Sequence, residues 1–531
     1  MTLPIPAIIV FAYLAIVLYI GIFAFRKGKD SGEDFFLAGR QLGPAVFLLS
    51  LFGTNMTAVA ILGSSGIAYQ RGIGIFGLMA SASGMVIPLT IFIIGTRLWA
   101  LGKKHGHMTQ VQYLRDRWEM GGIGTFIFAL TALMLVPYII IGVMGGGETL
   151  ETISGGAVPY SVGGAIVGVV VCSYVFFGGM RGTAWVNTFQ TVLFLCFGAI
   201  AFILIGRSLG GFDQIMQGIS ENPKIAPLLS RERISTTEFF SYMFIPLSSI
   251  MFPHIAIMCL TAEKITHFKK TVIFYPLCIM AIWLPSVYLG VVAASQYPGL
   301  TPGEANDVII RLLSDNTNTI VSGILGAGIM ACVMASDSQI LALSTMFTED
   351  MFAYYGGRKR FGAQAEVWAG RAFIVLIGLV SYVVALIIKD QANIFEVAIR
   401  FAFTGFAALA PVMLAALFWK RSTKWGAFAA TLWVLLTMLG TWWLTEFSAP
   451  IAPKPGQPDV PIFPELGNLF LRGRVNTTVY GFLPVMPMVI GSALLMWVVS
   501  LMTKPPSQAT IDKYFPPKPT GPAGAESATS R

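Results

Sequence analysis

Three clusters of polar residues lie inside long apolar stretches of this 531-residue sequence. They are Gly53-Thr54-Asn55-Met56-Thr57, Pro253-His254 and Ser336-Asp337-Ser338-Gln339. Lipid cannot satisfy hydrogen-bonding groups, so these groups must meet neighbouring helices, water or an ion. Hydroxyl, carboxylate and carbonyl oxygens suit a hard cation such as sodium. A kinked helix held by polar contacts is the alternative for the first cluster, and a position near the membrane surface for the third.

The residue types that support covalent or metal chemistry do not occur in recognisable patterns. The sequence contains no C-x-x-C, H-E-x-x-H or P-loop motif, and no evident pairing of a nucleophile with a base. All five cysteines lie within apolar stretches, where they are typical of small buried hydrophobic residues rather than disulfides or metal ligands. We therefore expect no enzymatic activity and no cofactor, with Na⁺ as the bound ion.

The composition indicates a polytopic helical membrane protein. Hydrophobic residues make up 55% of the chain and charged residues 11%, whereas a soluble protein carries about 25% charged residues. Apolar runs near the length that crosses a bilayer recur throughout. They predict an all-α protein with about thirteen transmembrane helices, here called span one to span thirteen, at about 4–24, 43–69, 74–100, 122–147, 159–177, 184–206, 239–262, 270–294, 317–349, 367–388, 392–419, 424–445 and 478–502.

Lys and Arg concentrate in alternate loops between these spans. Cytoplasmic loops of membrane proteins carry the excess of basic residues, so the pattern predicts an outside N-terminus and a cytoplasmic C-terminus in the plasma (inner) membrane. The net charge of +9 follows from this bias and does not indicate nucleic acid binding. The expected partners are the lipid bilayer, sodium and a small organic solute.

The polar interruptions of spans two and seven lie five spans apart. Interrupted helices at matching positions of two halves are typical of transporters built from an inverted repeat, with the binding site near the bilayer midplane. The predicted units are an N-terminal helix and loop (1–42), a first five-helix repeat (43–206), an outer loop (207–238), a second five-helix repeat (239–420), two final helices with an outer loop at 446–477 (421–504), and a disordered cytoplasmic tail (505–531). Each outer loop is either solvated cover or a lid over the site.

Several short motifs, in order over about residues 30–425, resemble those of the sodium:solute symporter family, which includes the sodium/proline, sodium/sialic acid, sodium/pantothenate, sodium/glucose and monocarboxylate carriers. The motifs are FFLAGR at 35–40, GGMRG at 178–182 followed by WVNTFQ at 185–190, PHI at 253–255, Met334 with DSQ at 337–339 and TED at 348–350, and Gly405-Phe406 and Pro411 followed by FWKR at 418–421.

This resemblance implies a leucine-transporter type fold of two inverted five-helix repeats, with one helix before them and two after. It also implies a sodium site where span two meets span nine. By position, the ligands are the carbonyls of Gly53 and Met56, the carbonyl of Cys332, and the residues Ala335 and Ser336. Ala335 supplies no hydroxyl, and this segment is one residue shorter than the common pattern, so Ser338 is an alternative ligand.

A second ion site is implied by the resemblance at a position of span six where family members that move two sodium ions carry an aspartate. This chain has Asn187 there. An amide brings no charge to balance a second cation, so one sodium per solute is expected. The exception requires Asp337, with Ser338, to turn toward Asn187.

The solute is expected beside the ion, between spans two, four, seven and eleven. Arg400 is either a two-pronged clamp on a substrate carboxylate, or a structural cation that pairs with Glu148, Glu151 or Glu396 or reaches the outer surface. The other candidate solute ligands are Asn55, Thr57, Tyr138, Met144, Phe252, His254, Phe403 and Thr404.

The sequence thus predicts a sodium-coupled symporter that imports a small organic solute, a carboxylate or an amino acid, by alternating access. A sugar or vitamin symporter of the same family is one alternative, and a solute sensor without transport is another. A continuous channel fits the two interrupted helices less well.

Overall fold

Helices form nearly all the regular structure of the protein in a computed structural model, which describes residues 3–26, 31–389, 393–448, 450, 453, 459–473 and 476–516. Within these residues, ten helices are long and apolar enough to cross a membrane, and two bent helix pairs each pass the same test as one broken span. The ten helices are Ile5–Phe25, Gly74–His105, Gly121–Ile153, Tyr160–Ser208, His267–Gln296, Thr319–Ala353, Ala363–Ile387, Ile394–Phe418, Lys424–Phe447 and Val485–Met502.

The longest of these helices contains two antiparallel spans. Tyr174 and Asn187 both bond to the carboxylate of Asp337, although about 20 Å would separate their backbones along a straight helix. The chain reverses between them at Gly179, whose φ of 51° and ψ of −147° are not helical. A side chain could not replace this glycine, because its Cβ would lie 2.4 Å from the carbonyl oxygen of Phe35. Spans five and six are therefore separate, and the described residues form thirteen spans, as predicted.

Both predicted interruptions are confirmed as breaks. Span two consists of Pro44–Asn55 and Val59–Arg71, which are bent by 55°, and Met56 between them has an extended ψ of 88°. Span seven runs from 236 to 261 and bends by 49° at Phe252. The cause there is Pro253, which has no N–H to continue the helical ladder and begins a new helix instead.

Shorter elements cover the ends of the bundle. The predicted outer loop at 207–238 contains helices, and a three-stranded antiparallel sheet begins in the predicted outer loop 446–477 and ends at Val479. The short helices are Gly32–Leu37, Gln110–Arg117, Phe212–Glu221, Ala226–Leu229, Glu304–Asp307, Val308–Asn316, Gly357–Phe361, Pro464–Leu466 and Gln508–Tyr514, and the strands are Val460–Pro461, Phe470–Arg472 and Thr477–Val479.

The predicted disorder of the tail 505–531 is wrong in part, because Gln508–Tyr514 is a helix. Its last residue, Tyr514, is only 2% exposed because it packs against the loop between spans three and four. Residues 517–531 lie outside the described part of the chain.

Candidate functional site

The break in span two lies against an irregular turn of span nine. Span nine changes from α-helix to a 3₁₀ turn at Met334–Ser336 before it continues as a helix from Asp337. The thiol of Cys332 donates to the carbonyl oxygens of Met56 at 3.4 Å and Thr57 at 3.2 Å. The structure thus brings together predicted sodium ligands from both spans, at a place where the break frees backbone carbonyls.

The other predicted sodium ligands are buried around the same junction. Gly53 is packed so closely against span six that a Cβ there would lie 2.2 Å from the hydroxyl of Thr191. The Ser336 hydroxyl lies against span four, since a Cβ on Gly142 would be 2.0 Å from it. Ala335 is fully buried and adds no polar side chain. The predicted ligand groups are thus backbone carbonyls and one hydroxyl, and that hydroxyl faces span four.

A fully buried carboxylate, Asp337, lies where spans five, six and nine meet. It accepts hydrogen bonds from the Tyr174 hydroxyl at 2.9 Å, the Asn187 amide at 3.2 Å, and the Ser338 backbone N–H and hydroxyl at 2.5 and 3.0 Å. Within the described residues, no Lys, Arg or His contacts it. A buried carboxylate without a basic partner needs a cation or a proton to balance its charge.

Several buried oxygen atoms in spans two, six and nine accept no hydrogen bond from the described residues. Each carries a free lone pair at a cost of about 1–3 kcal/mol. A cation is bound through the lone pairs of oxygen atoms. Oxygens that accept no hydrogen bond are therefore better explained by ion binding than by a purely structural role. The atoms are Thr54 Oγ1, Asn187 Oδ1, Gln190 Oε1 and Gln339 Oε1.

A cavity of about 50 Å³ lies between the two broken spans. It begins beside Met56, so it adjoins the predicted sodium site. Its lining contains no Asp, Glu, Lys, Arg or His among the described residues. The lining residues are Asn55, Met56, Val59, Ala60, Met79, Ser83, Ile87, Tyr138, Tyr242, Ile245, Pro246, Ser248, Ser249, Phe252, Trp283, Phe395 and Phe403.

Aromatic rings form two sides of this cavity. Tyr138 and Phe252 stack with their centroids 5.4 Å apart, and Phe403 meets both rings edge-on at 5.4 and 5.5 Å. On another side Tyr242 stacks on Phe395 at 6.4 Å with nearly parallel rings. These last two residues line the cavity at the predicted outer ends of spans seven and eleven, where both are buried.

Four predicted solute ligands line this cavity, and four lie just behind it. Asn55, Tyr138, Phe252 and Phe403 are lining residues. Behind them, Thr57 donates to the Tyr138 hydroxyl at 3.2 Å, the Thr404 hydroxyl donates to the carbonyl of Ile399, and Met144 is buried in span four. The His254 ring lies 4.9 Å from that of Phe252, and its two buried nitrogens have no partner among the described residues.

Arg400 does not lie in the cavity, contrary to the clamp hypothesis. Its guanidinium donates to Glu446 at 2.5 Å, where spans eleven and twelve meet at their predicted outer ends. The acidic residue in this ion pair is Glu446, which is not among the three partners that the sequence suggested. The interpretation of Arg400 as a structural cation near the surface fits this position better than a role in solute binding.

The sequence interpretation also missed residues of both sites. Trp283 and Ser83 line the cavity from spans eight and three, and the Tyr275 hydroxyl accepts from Asn55 at 2.5 Å. Tyr174 binds Asp337, and Gln190 donates to Tyr13 close by. No sequence signal separates these residues from ordinary packing, apart from Gln190, which lies within the WVNTFQ motif.

Comparison with known proteins identifies the family. The profile of the family described as "Sodium:solute symporter family" matches residues 35–433. The chain is similar to the high-affinity proline transporter PutP of Bacillus subtilis (strain 168), with 25% identity covering 94% of this chain and 98% of the relative. It is also similar to the sodium/proline symporter of Escherichia coli (strain K12), with 26% identity over 83% and 88%, and to the sodium/pantothenate symporter of the same organism, with 24% over 64% and 71%.

Solved structures show the same fold. A Na⁺-coupled sialic acid symporter in a substrate-bound outward-open state has a TM-score of 0.73 at 16% identity, covering 95% of this chain and 99% of that one. MHP1, a nucleobase-cation-symport-1 family transporter, has a TM-score of 0.55 at 12% identity. The leucine-transporter type fold is thereby confirmed. The three relatives similar in sequence are all transporters, which is consistent with the expectation that the chain is not an enzyme. The chain is a multi-pass membrane protein and a sodium-coupled symporter, and it belongs to the sodium:solute symporter family.

Proposed function

We propose that this symporter imports a small carboxylate or amino acid together with sodium, by alternating access. The observation that carries the proposal is the position of the aromatic cavity between the two broken spans, directly beside Met56. Proline, pantothenate and sialic acid, which appear in the names of similar proteins, all carry a carboxylate. A sugar or vitamin without a carboxylate is the second candidate, because the cavity contains no basic residue.

A carboxylate can be held in this cavity without a basic side chain. The inner half of span seven begins at Pro253, and its preceding residue Phe252 lines the cavity. The first N–H groups of a helix have no intrahelical acceptor and favour an anion at that end. A sodium ion at the neighbouring junction of spans two and nine would supply the balancing charge. The aromatic rings then pack against the apolar part of the solute.

The coupling ion is assigned to that junction. Gly53, Met56, Cys332, Ala335 and Ser336 remain the proposed sodium site, with carbonyl oxygens and the Ser336 hydroxyl as ligands. The Cys332 thiol is a weak donor, so a cation can displace its bonds to Met56 and Thr57 at little cost. Closure of both broken spans around ion and solute would precede opening to the cytoplasm.

A second ion is assigned to Asp337, Asn187 and Ser338. The expectation of one sodium held only if Asp337 pointed away from Asn187, and these two side chains lie 3.2 Å apart. The charge missing from span six is thus supplied by span nine. We therefore assign two sodium ions to each transported solute.

The charge pattern supports an orientation as well. Basic residues concentrate at the end of the molecule that holds the loop between spans three and four and the C-terminal helix. By the distribution of Lys and Arg, we assign that end to the cytoplasm and the N-terminus to the outside.

Uptake into proteoliposomes tests the proposed solute class. Labelled proline, pantothenate and sialic acid are each offered with an inward gradient of sodium or of potassium. We expect sodium-dependent accumulation of at least one of them, and its reduction by at least tenfold in Phe252→Ala. Phe447→Ala, at a 62% exposed site outside the cavity, is the matched control.

Other outcomes separate the alternatives. Sodium-dependent uptake of glucose or myo-inositol, with none of the three carboxylates, would overturn the proposed class and support the sugar alternative. Sodium-dependent binding of a carboxylate without accumulation in sealed vesicles would support a sensor.

A further inference from the structure

A short cytoplasmic helix connects the moving parts of this transporter. This loop helix, Gln110–Arg117, lies between spans three and four. Its buried Gln110 donates to the carbonyl of Met251 at 3.0 Å, directly before the break in span seven. Tyr113 donates to the carbonyl of Ala416 in span eleven at 2.7 Å. The loop helix is thus bonded to both of these spans at the end opposite the Tyr242–Phe395 stack.

Span nine is bonded to the same helix. The Thr109 hydroxyl donates to the carboxylate of Asp350 at 2.9 Å, and Arg115 donates to the Asp350 carbonyl at 3.0 Å. Gln112 donates to Glu349 at 2.8 Å. Alternating access requires the two repeats to move relative to each other. Opening toward the cytoplasm must therefore break some of the bonds that the loop helix makes.

The C-terminal segment, residues 507–515, packs on the loop helix and on the turn that follows it. We call this segment the strap. Ser507 and Thr510 donate to the carboxylate of Glu119, and Lys513 and Tyr514 both donate to Asp116. Although burial alone would raise it, the pKa of Asp116 lies below its usual value because of these two donors.

Two aromatic residues anchor the strap. The ring of Tyr514 is 2% exposed and meets that of Tyr113 edge-on at 5.3 Å. Phe515 lies under the guanidinium groups of Arg97 and Arg117, at 5.3 and 5.1 Å. Tyr113 and Arg117 are also the residues through which the loop helix holds the inner end of span eleven. The strap therefore contacts the same two residues that bond the loop helix to span eleven.

We propose that the strap is a latch, which holds the loop helix against the inner ends of spans seven, nine and eleven and so limits the rate of inward opening. The strap stabilises the state that is closed toward the cytoplasm, because its contacts form only while the loop helix packs against these spans. Release of the strap lowers the barrier to opening without altering the solute cavity or the ion sites. The strap thus makes the C-terminus a regulatory element, and this role does not depend on which solute is carried.

Hydrogen exchange in two truncated chains tests the latch. A chain that ends at Lys504 lacks the strap, and a chain that ends at Pro516 keeps all of it and is the matched control. We expect the loop helix to exchange about tenfold faster in the first chain, with unchanged exchange in span one. The control chain should match the full-length protein. Unchanged exchange in the loop helix would overturn the proposal, and faster exchange throughout span one would also overturn it, because the strap would then be a general folding element.

Thiol labelling measures opening directly and needs no solute. Cys332 is fully buried beside Met56, so maleimide reaches it only when a pathway opens. We expect Cys332 to react at least threefold faster in the chain ending at Lys504, and to a smaller extent in Tyr514→Phe, which keeps the ring but loses the bond to Asp116. The Cys332→Ser variant measures the background labelling of the other four cysteines. Equal labelling of Cys332 in all chains would refute the latch.

Discussion

Replacement of Asp337 by Asn tests whether one buried carboxylate sets the number of ions transported. The substitution keeps the shape of the side chain, and its oxygen can still accept from Tyr174. Among the described residues, it removes the one charge that lies beside Asn187. At about 4 Å, in an effective dielectric of about 20, a carboxylate and a cation attract by about 4 kcal/mol, so loss of the charge should weaken the second ion by about a thousandfold.

The consequence for transport is large enough to measure without ambiguity. A tenfold sodium gradient supplies about 1.4 kcal/mol per ion, and a potential of 100 mV supplies about 2.3 kcal/mol per charge. One sodium can then concentrate a neutral or zwitterionic solute about 500-fold, and two sodium ions about 250,000-fold. The corresponding reversal potentials in proteoliposomes with fixed sodium and solute gradients differ by tens of millivolts.

The assay compares three proteins with the solute identified in the uptake panel. We expect a ratio of two sodium ions per solute for the natural sequence and one for Asp337→Asn. The double variant Asp337→Asn with Asn187→Asp returns the charge to span six and should restore a ratio of two. A ratio of one for the natural sequence would refute the second site. A ratio that stays at two in Asp337→Asn would show that Asp337 does not hold the second ion.

Three further predictions use other parts of the structure. Ser336→Ala should raise the sodium concentration for half-maximal binding at least threefold with normal expression, and an unchanged value would transfer the ligand role to Ser338. Arg400→Lys should change solute affinity by less than twofold in equilibrium binding, because Arg400 lies outside the cavity. Burial lowers the pKa of His107 to about 4 while the strap is docked. When the strap undocks, the ring can take up a proton below about pH 6.5, so acid favours undocking. Hydrogen exchange of the strap, corrected for its intrinsic rate, should therefore rise about tenfold from pH 7.5 to 5.5, and a flat profile would contradict this. The titratable groups that face His107 are His105, Tyr113, Asp116, Lys513 and Tyr514.

Local backbone chemistry explains which features of the fold were predictable. The break at Phe252 follows from Pro253, which cannot donate a hydrogen bond, and the break near Met56 follows from Gly53 and polar neighbours in an apolar run. Both effects act within a few residues, so the sequence contains them in full. Their spacing of five spans then indicates the two repeats. The segment between Met334 and Asp337, one residue shorter than the common pattern, also indicates that Asp337 can reach Asn187.

Long-range pairing explains what was missed. Arg400 was correctly predicted inside a span, but its partner Glu446 is 46 residues away, and no periodicity identifies such a pair. The helix in the strap has a Pro- and Ser-rich setting that favours disorder when taken alone. Its stability comes from Asp116, Glu119 and Tyr113, nearly 400 residues earlier, and so it depends on the folded bundle.

The single-residue turn at Gly179 limits how the transporter can move. Because no flexible linker separates spans five and six there, any displacement of one span at that end displaces the other equally. The angle between the two spans can still change, so that their far ends separate while the ends at Gly179 stay together. Distances between spin labels placed near Gly179 should therefore stay constant through the transport cycle, whereas pairs near Tyr160 and Ser208 should report its full amplitude. The first repeat thus contains a mechanical reference point against which movements of the other spans can be measured.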